Sequence, residues 1–208
     1  EEETLKGIIL LNGEPYLGQI VKGEGDFVLS ADGALAWAAD KVKIDACAGD
    51  FDSLGYVPDG AVVYPSEKNF TDGEIALDML LDKGFDQIEI YGGGGGREDH
   101  FFGNLQLLYA GLQRGAHCVL RTNYSDITCE RGLIRFCGER GRTVSLAPVG
   151  LSAHIMSSEG MKYPLEDLTL TAGSCRGVSN IVLSDDARLN CDEGAVFVFR
   201  NLSEESRL

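Results

Sequence analysis

The 208-residue sequence predicts an α/β domain with a doubly wound, mostly parallel sheet, followed by a C-terminal antiparallel β-sandwich domain. Three observations predict it. Short apolar runs closed by Gly or Asp recur through the first part of the chain, as buried strands of a parallel sheet do. Helical patterns with readable caps lie between them, and that alternation places helices against a parallel sheet. Beyond Asn123 the helical patterns stop, and short alternating segments punctuated by Gly, Asn, Asp and Ser take over, the pattern of antiparallel strands.

The predicted strands of the first part are residues 6–11, 26–30, 43–48, 61–64, 87–91 and 117–121. The clearest helix covers 71–83. Thr71 and Glu74 form a T-x-x-E capping box, and Gly84 is a suitable stop. Glu74, Asp78 and Asp82 repeat every four residues as a wet face, with Ile75, Ala76, Met79 and Leu80 opposite. A second helix covers 99–114 and ends at Gly115; Trp37 falls in another helical segment and reads as core. The β-rich part contributes 127–130, 133–137, 143–147, 168–171, 181–183 and 195–200. A boundary near 123–126 divides the chain into domains 1–123 and 124–208.

Acidic residues outnumber basic ones 33 to 18, for a net charge of −15. A nucleic-acid binder needs a basic face to displace counterions, so that class is excluded. An acidic surface suits divalent metals and cationic small molecules. Apolar runs such as 7–11 and 75–81 are too short to span a bilayer, and no cationic segment precedes an apolar one as in a secretion leader. Six cysteines, at 47, 118, 129, 137, 175 and 191, include no C-x-x-C pair and have no histidine at zinc spacing. Buried free thiols in a reducing compartment are expected, hence a cytoplasmic protein without membrane contact.

Aspartates gather where the predicted parallel strands end: Asp32 in A-D-G, Asp50 and Asp52 in G-D-F-D-S, Asp72 opening one helix and Asp99 opening the next. Ligands of open α/β sheets bind outside the carboxyl ends of strands, so all five face one rim. Magnesium takes one or two protein carboxylates and completes its shell with water and phosphate oxygens. Taken singly, each Asp is an ordinary turn former or helix cap. Gly92–Gly96 lets backbone amides approach a phosphate, although it completes neither G-x-G-x-x-G nor G-K-[ST]. Arg97 offers a planar fork to a phosphate, or alternatively pairs with Glu98 or Asp99. Lys68 is a second cation near the rim, and His100 opens the helix beside it. Ser53 has no base to activate it, which argues against a serine hydrolase.

Read together, Ala31-Asp32-Gly33, Gly49-Asp50-Phe51-Asp52-Ser53, Lys68-Asn69-Phe70-Thr71-Asp72, Gly95-Gly96-Arg97-Glu98-Asp99-His100 and Ser179-Asn180 resemble the thiamine pyrophosphokinase family, in the family's order and over nearly the whole chain. The resemblance implies an enzyme that moves the pyrophosphoryl group of ATP to the hydroxyethyl oxygen of thiamine, giving thiamine diphosphate and AMP. It also implies a homodimer whose active site lies at the subunit interface, with 1–123 as the catalytic domain and 124–208 holding thiamine and the dimer contact. By matching position, Asp50, Asp52 and Asp72 would hold Mg²⁺. Asp32, Lys68, Arg97 and His100 would bind the nucleotide. Asp52, Asp72, Arg97 and Asp99 would form the catalytic set, and Asp99, Ser179 and Asn180 would contact thiamine. Asn69 stands where the family often has Asp, and the glycine run exceeds the usual pair. Tyr163 and Phe197 are the candidates for stacking on the pyrimidine. The alternatives are a pyrophosphokinase for another primary alcohol, such as a hydroxymethyl pterin, and a non-catalytic nucleotide- or thiamine-binding module.

Overall fold

The computed structural model describes residues 4–52, 54–65 and 69–203. The chain divides into two compact units, Glu1–Asn123 and Tyr124–Leu208.

In the first unit the strands are β1 (Lys6–Leu10), β2 (Phe27–Ala31), β3 (Ala46–Gly49), β4 (Val62–Val63), β5 (Gln87–Tyr91) and β6 (His117–Arg121); the helices are α1 (Leu35–Ala38), α2 (Asp72–Asp82) and α3 (Glu98–Gln113). The strand order is β6-β5-β1-β2-β3-β4, with every pairing parallel. The chain starts in the middle of the sheet, builds outward to β4, then returns to add β5 on the other side of β1. The order therefore reverses between β1 and β5, the place where an open α/β sheet leaves a crevice. Ile8, Ile9, Leu10, Leu29, Ile88, Ile90 and Leu120 are fully or almost fully buried, as expected of strands covered on both faces.

Helix α2 carries the capping box read from sequence. The Thr71 hydroxyl accepts the Glu74 N–H at 3.2 Å, and the Glu74 carboxylate accepts the Thr71 N–H at 2.7 Å. Its buried line is Ala76, Leu77 and Leu80, with Ile75 and Met79 half-buried at the margins. Gly7 lets α2 lie close to β1, because a Cβ there would meet Leu80 Cδ1 at 2.7 Å. Thr71→Ala removes the cap and is expected to lower stability by about 1 kcal/mol in urea titration.

The second unit holds β7 (Ser125–Cys137), β8 (Thr143–Pro148), β9 (Ser152–Glu159), β10 (Leu168–Thr171), β11 (Asn180–Ile181) and β12 (Asp186–Asn201), all paired antiparallel. Strand β12 pairs with β7 along its length; its first half also pairs with β9 and its second with β8. The register breaks between Cys191 and Val196, where Gly194 has φ 77°. Ile134, Phe136, Leu146, Ile155, Leu189 and Val198 meet in one buried core. The segments 127–130 and 133–137 prove to be one strand, and residues 152–159 form a strand the sequence reading did not predict.

All six cysteines are free. Burial pushes the Cys118 thiol up to about 12; burial and then the Asp192 charge push Cys191 up to about 11. Cys137 and Cys175 are exposed, against the burial expected from the apolar context of Cys137: it closes β7 on a face that points to solvent. No helix among the described residues is long and apolar enough to cross a membrane.

His154 on β9 is gripped from both sides. Its Nδ1 lies 2.7 Å from Asp192 Oδ1 and its Nε2 lies 3.1 Å from Asp167 Oδ1. The hydrogen bond to Asp192, followed by that to Asp167, raises its pKa above the ordinary 6.5. A raised folded value means the contribution is complete below the unfolded pKa and fades as pH climbs through the folded one. The stability difference between the wild type and His154→Gln is therefore expected to be larger at about pH 6 than at about pH 9 in urea titrations. A difference that grows with pH would contradict this.

Candidate active site

A cleft of about 960 Å³ opens at the carboxyl ends of the parallel strands. Four of the aspartates read from sequence line it: Asp32 after β2, Asp50 after β3, Asp72 at the start of α2 and Asp99 in the first turn of α3. Arg97 and His100 line it as well. Asp52 does not belong to the lining; it is exposed on the turn beyond Asp50. Phe51 between them is 2 % exposed with φ 59°, so the chain turns sharply there, and the Asp52 N–H donates to Asp50 Oδ1 at 3.2 Å. Lys68 and Ser53 lie outside the described residues.

The floor of the cleft is the glycine run, and it is packed. Gly92, Gly93 and Gly94 are buried, while Gly95 and Gly96 are exposed. The segment after β1 stays bonded to them: Gly13 N–H donates to Gly92 O at 2.8 Å, and Glu14 N–H donates to Gly94 O at 2.9 Å. From α3, Asn104 Nδ2 donates to Gly93 O at 2.9 Å. Asn12 Nδ2 donates to Asp32 Oδ2 at 3.3 Å, bringing the ends of β1 and β2 together. Asn12, Glu14 and Asn104 line the cleft and were missed from sequence. The only signal was Asn12-Gly13 directly after a strand, which reads as a plain turn until the strand order shows that β1 and β5 flank the reversal.

Arg97 forms a two-point pair with Asp99, Nε to Oδ1 at 3.2 Å and Nη2 to Oδ2 at 2.6 Å. This is the alternative that the sequence left open for Arg97. The hydrogen bond from Arg97, outweighing a small burial effect, holds the Asp99 carboxyl below its usual range and so ionised. Both side chains are about two-thirds exposed, 69 % and 66 %. An exposed pair of this kind is weak and gives way readily to a more highly charged partner.

The donor chemistry suits magnesium. The cleft presents hard carboxylate oxygens and no thiol. Among the described residues, no three His, Cys, Asp or Glu side chains converge into a closed cage.

In the second unit, Ser179 is exposed with φ 61°, and its N–H donates to Ser145 Oγ at 3.0 Å. Asn180 is buried, 3 % exposed. Phe197 is buried at 7 % and offers no face to a ligand, whereas Tyr163 is 55 % exposed.

Residues 20–120 match the family described as thiamin pyrophosphokinase, catalytic domain, and residues 130–196 match the thiamin pyrophosphokinase vitamin B1 binding domain. A thiamine pyrophosphokinase of Bacillus subtilis is 32 % identical over 165 residues, covering 74 % of this chain and 76 % of that protein. The chain belongs to the thiamin pyrophosphokinase family. The crystal structure of the Bacillus subtilis thiamine pyrophosphokinase superposes with TM-score 0.81 at 27 % identity, covering 96 % of this chain and 99 % of that one. A yeast thiamin pyrophosphokinase structure, at 15 % identity, shares the fold with TM-score 0.72 over 99 % of this chain and 88 % of its own. The thiamin pyrophosphokinase fold thus accounts for both units, a parallel α/β part followed by an antiparallel β part.

Proposed function

We propose that the chain transfers the pyrophosphoryl group of ATP to thiamine, forming thiamine diphosphate and AMP. One observation carries the reading: Asp32, Asp50, Asp72, Asp99 and Arg97 share a single cleft over a packed glycine floor, in a chain matched by both family domains. The thiamine hydroxyethyl oxygen attacks the β-phosphorus of ATP. A new O–Pβ bond forms, the bond from Pβ to the α,β-bridging oxygen breaks, AMP leaves and the hydroxyl proton is lost. Such transfers pass through loose transition states, so placement and charge neutralisation provide most of the catalysis.

Each role follows from position. Asp50 and Asp72 would hold Mg²⁺, with Asp52 on the adjacent turn; when bound, the ion neutralises phosphate oxygens. Asp32 and His100 flank the nucleotide, and Lys68 is assigned to it by its matching position in the family's sequence pattern. Arg97 releases Asp99 and turns its fork to the polyphosphate, which carries more charge than one carboxylate. Asp99, already ionised, then stands free to accept a hydrogen bond from the thiamine hydroxyl. Ser179 and Asn180 belong to the unit that takes thiamine. The match of that unit to a vitamin B1 binding domain favours thiamine over a hydroxymethyl pterin. A homodimer and a cytoplasmic location complete the reading; the six free thiols support the latter.

The test is product analysis. Protein, thiamine, ATP and Mg²⁺ are incubated and the products separated by chromatography. Thiamine diphosphate and AMP in equal amounts are expected. ADP with thiamine monophosphate would mean transfer of one phosphate, and AMP release only with a pterin alcohol would change the substrate. Tight ATP binding with no product would leave a binding module.

A further inference from the structure

The cleft holds one apolar side chain that none of the roles above uses. Among its described lining residues, Leu11 and Ala31 are buried, whereas Phe70 is 60 % exposed. The rest of the lining is carboxylates, side-chain amides, glycines, Thr71, Arg97 and His100. An open phenyl ring in so polar a wall calls for a reason.

Phe70 stands at the position before the Thr71 cap of α2. A residue there often packs on the fifth position of the cap, here Ile75, as a hydrophobic staple. A staple covers its ring, and this ring keeps more than half its surface open while lining the cleft. Its backbone neighbour is fixed. Both bonds of the capping box hold Thr71, and the first turn of α2 is seated beside the floor. A Cβ at Gly73 would lie 3.6 Å from Leu11 Cδ2 and 3.7 Å from Asn104 Oδ1. The ring therefore springs from an anchored helix start.

A nucleotide has the complementary need. Its phosphates meet charge and N–H groups, but its base is flat and uncharged and wants an apolar wall. We infer that Phe70 is the stacking platform for the adenine ring of ATP. This rests on the reading above that the cleft takes ATP and the second unit takes thiamine. A phenyl face reads no hydrogen-bonding edge, so stacking is tolerant of base identity. Phe70 thus favours a nucleotide over a bare polyphosphate, without choosing one base over another.

The experiment compares ligands with and without a base. Phe70→Ala is expected to raise the Kd for AMP, by calorimetry, and the KM for ATP about tenfold each. The KM for thiamine stays within about twofold, as does inhibition by inorganic tripolyphosphate, which carries no base. Phe70→Trp keeps the wild-type values; Phe70→Leu, apolar but without a π face, does not. Equal weakening of AMP and tripolyphosphate would mean a general disturbance of the cleft and overturn the inference. A rise confined to the KM for thiamine would give the ring to the other substrate and overturn it too. So would a lower melting temperature with AMP and ATP unaffected, the mark of a staple. A wild type that binds AMP but turns over no thiamine would overturn the activity, and AMP calorimetry would still decide Phe70. An active wild type whose Kd for AMP is unchanged in Phe70→Ala overturns this assignment alone.

Discussion

Arg97→Ala is expected to lower kcat/KM for ATP by roughly 10²–10³-fold while leaving the unfolding midpoint nearly unchanged. The two halves of that result have separate causes. Stability is indifferent because the only ion pair of Arg97 among the described residues, to Asp99, is exposed on both sides. Activity suffers because Arg97 is the N-cap of α3 at the end of the glycine run, the one guanidinium among the described residues that lines the cleft. Developing charge on the transferring group needs a donor already in place, and a planar fork meets two phosphate oxygens at once. Arg97→Lys keeps the charge and loses the fork, so an intermediate rate is expected. Steady-state kinetics beside thermal melts checks both halves. A variant with wild-type kcat/KM would leave Arg97 as no more than the partner of Asp99.

Local chemistry was legible in the sequence where it depends on near neighbours. The Thr71–Glu74 box formed as written, because its bonds join residues three apart. The aspartates at 32, 50, 72 and 99 reached one cleft because parallel strands all end on the same rim. Asp52 shows the limit. Two residues from Asp50, it is turned out of the lining by the left-handed Phe51, and a φ value is not visible in a G-D-F-D-S string. Asn12 and Asn104 show another. Each matters because β1 and β5 are neighbours, and that adjacency arises from the strand order, not from any local pattern. Strand β9 was missed for a different reason: its buried residues, Ala153 and Ile155, alternate with His154 and then give way to Ser157 and Ser158, so too few apolar positions mark the period.

The glycine run decides between a flexible loop and a built floor, and two substitutions within it should diverge. Gly92 has φ 70°, and a Cβ there would press on the Leu11 carbonyl oxygen and lie 2.6 Å from Trp37 Cζ2. Neither neighbour has room to retreat: Leu11 N–H is bonded to Tyr91 O at 2.8 Å, and Trp37 Nε1 donates to Leu11 O at 3.0 Å. Gly96 has nearly the same backbone, φ 69°, yet nothing lies within 4 Å of its Cβ position. Gly96→Ala therefore carries only the left-handed penalty, roughly 1–2 kcal/mol. Gly92→Ala adds overpacking of a closed site, for a total of roughly 2–5 kcal/mol. Urea titration of the two variants measures the gap, which isolates packing because the conformational cost is common to both. Equal losses would mean that the run is loose at both positions and that its amides are not held for a phosphate. A wide gap would place rigidity at Gly92–Gly94, against Leu11, Trp37 and Asn104, and leave open space at Gly96, beside Arg97, which on the proposed reading turns from Asp99 to the nucleotide.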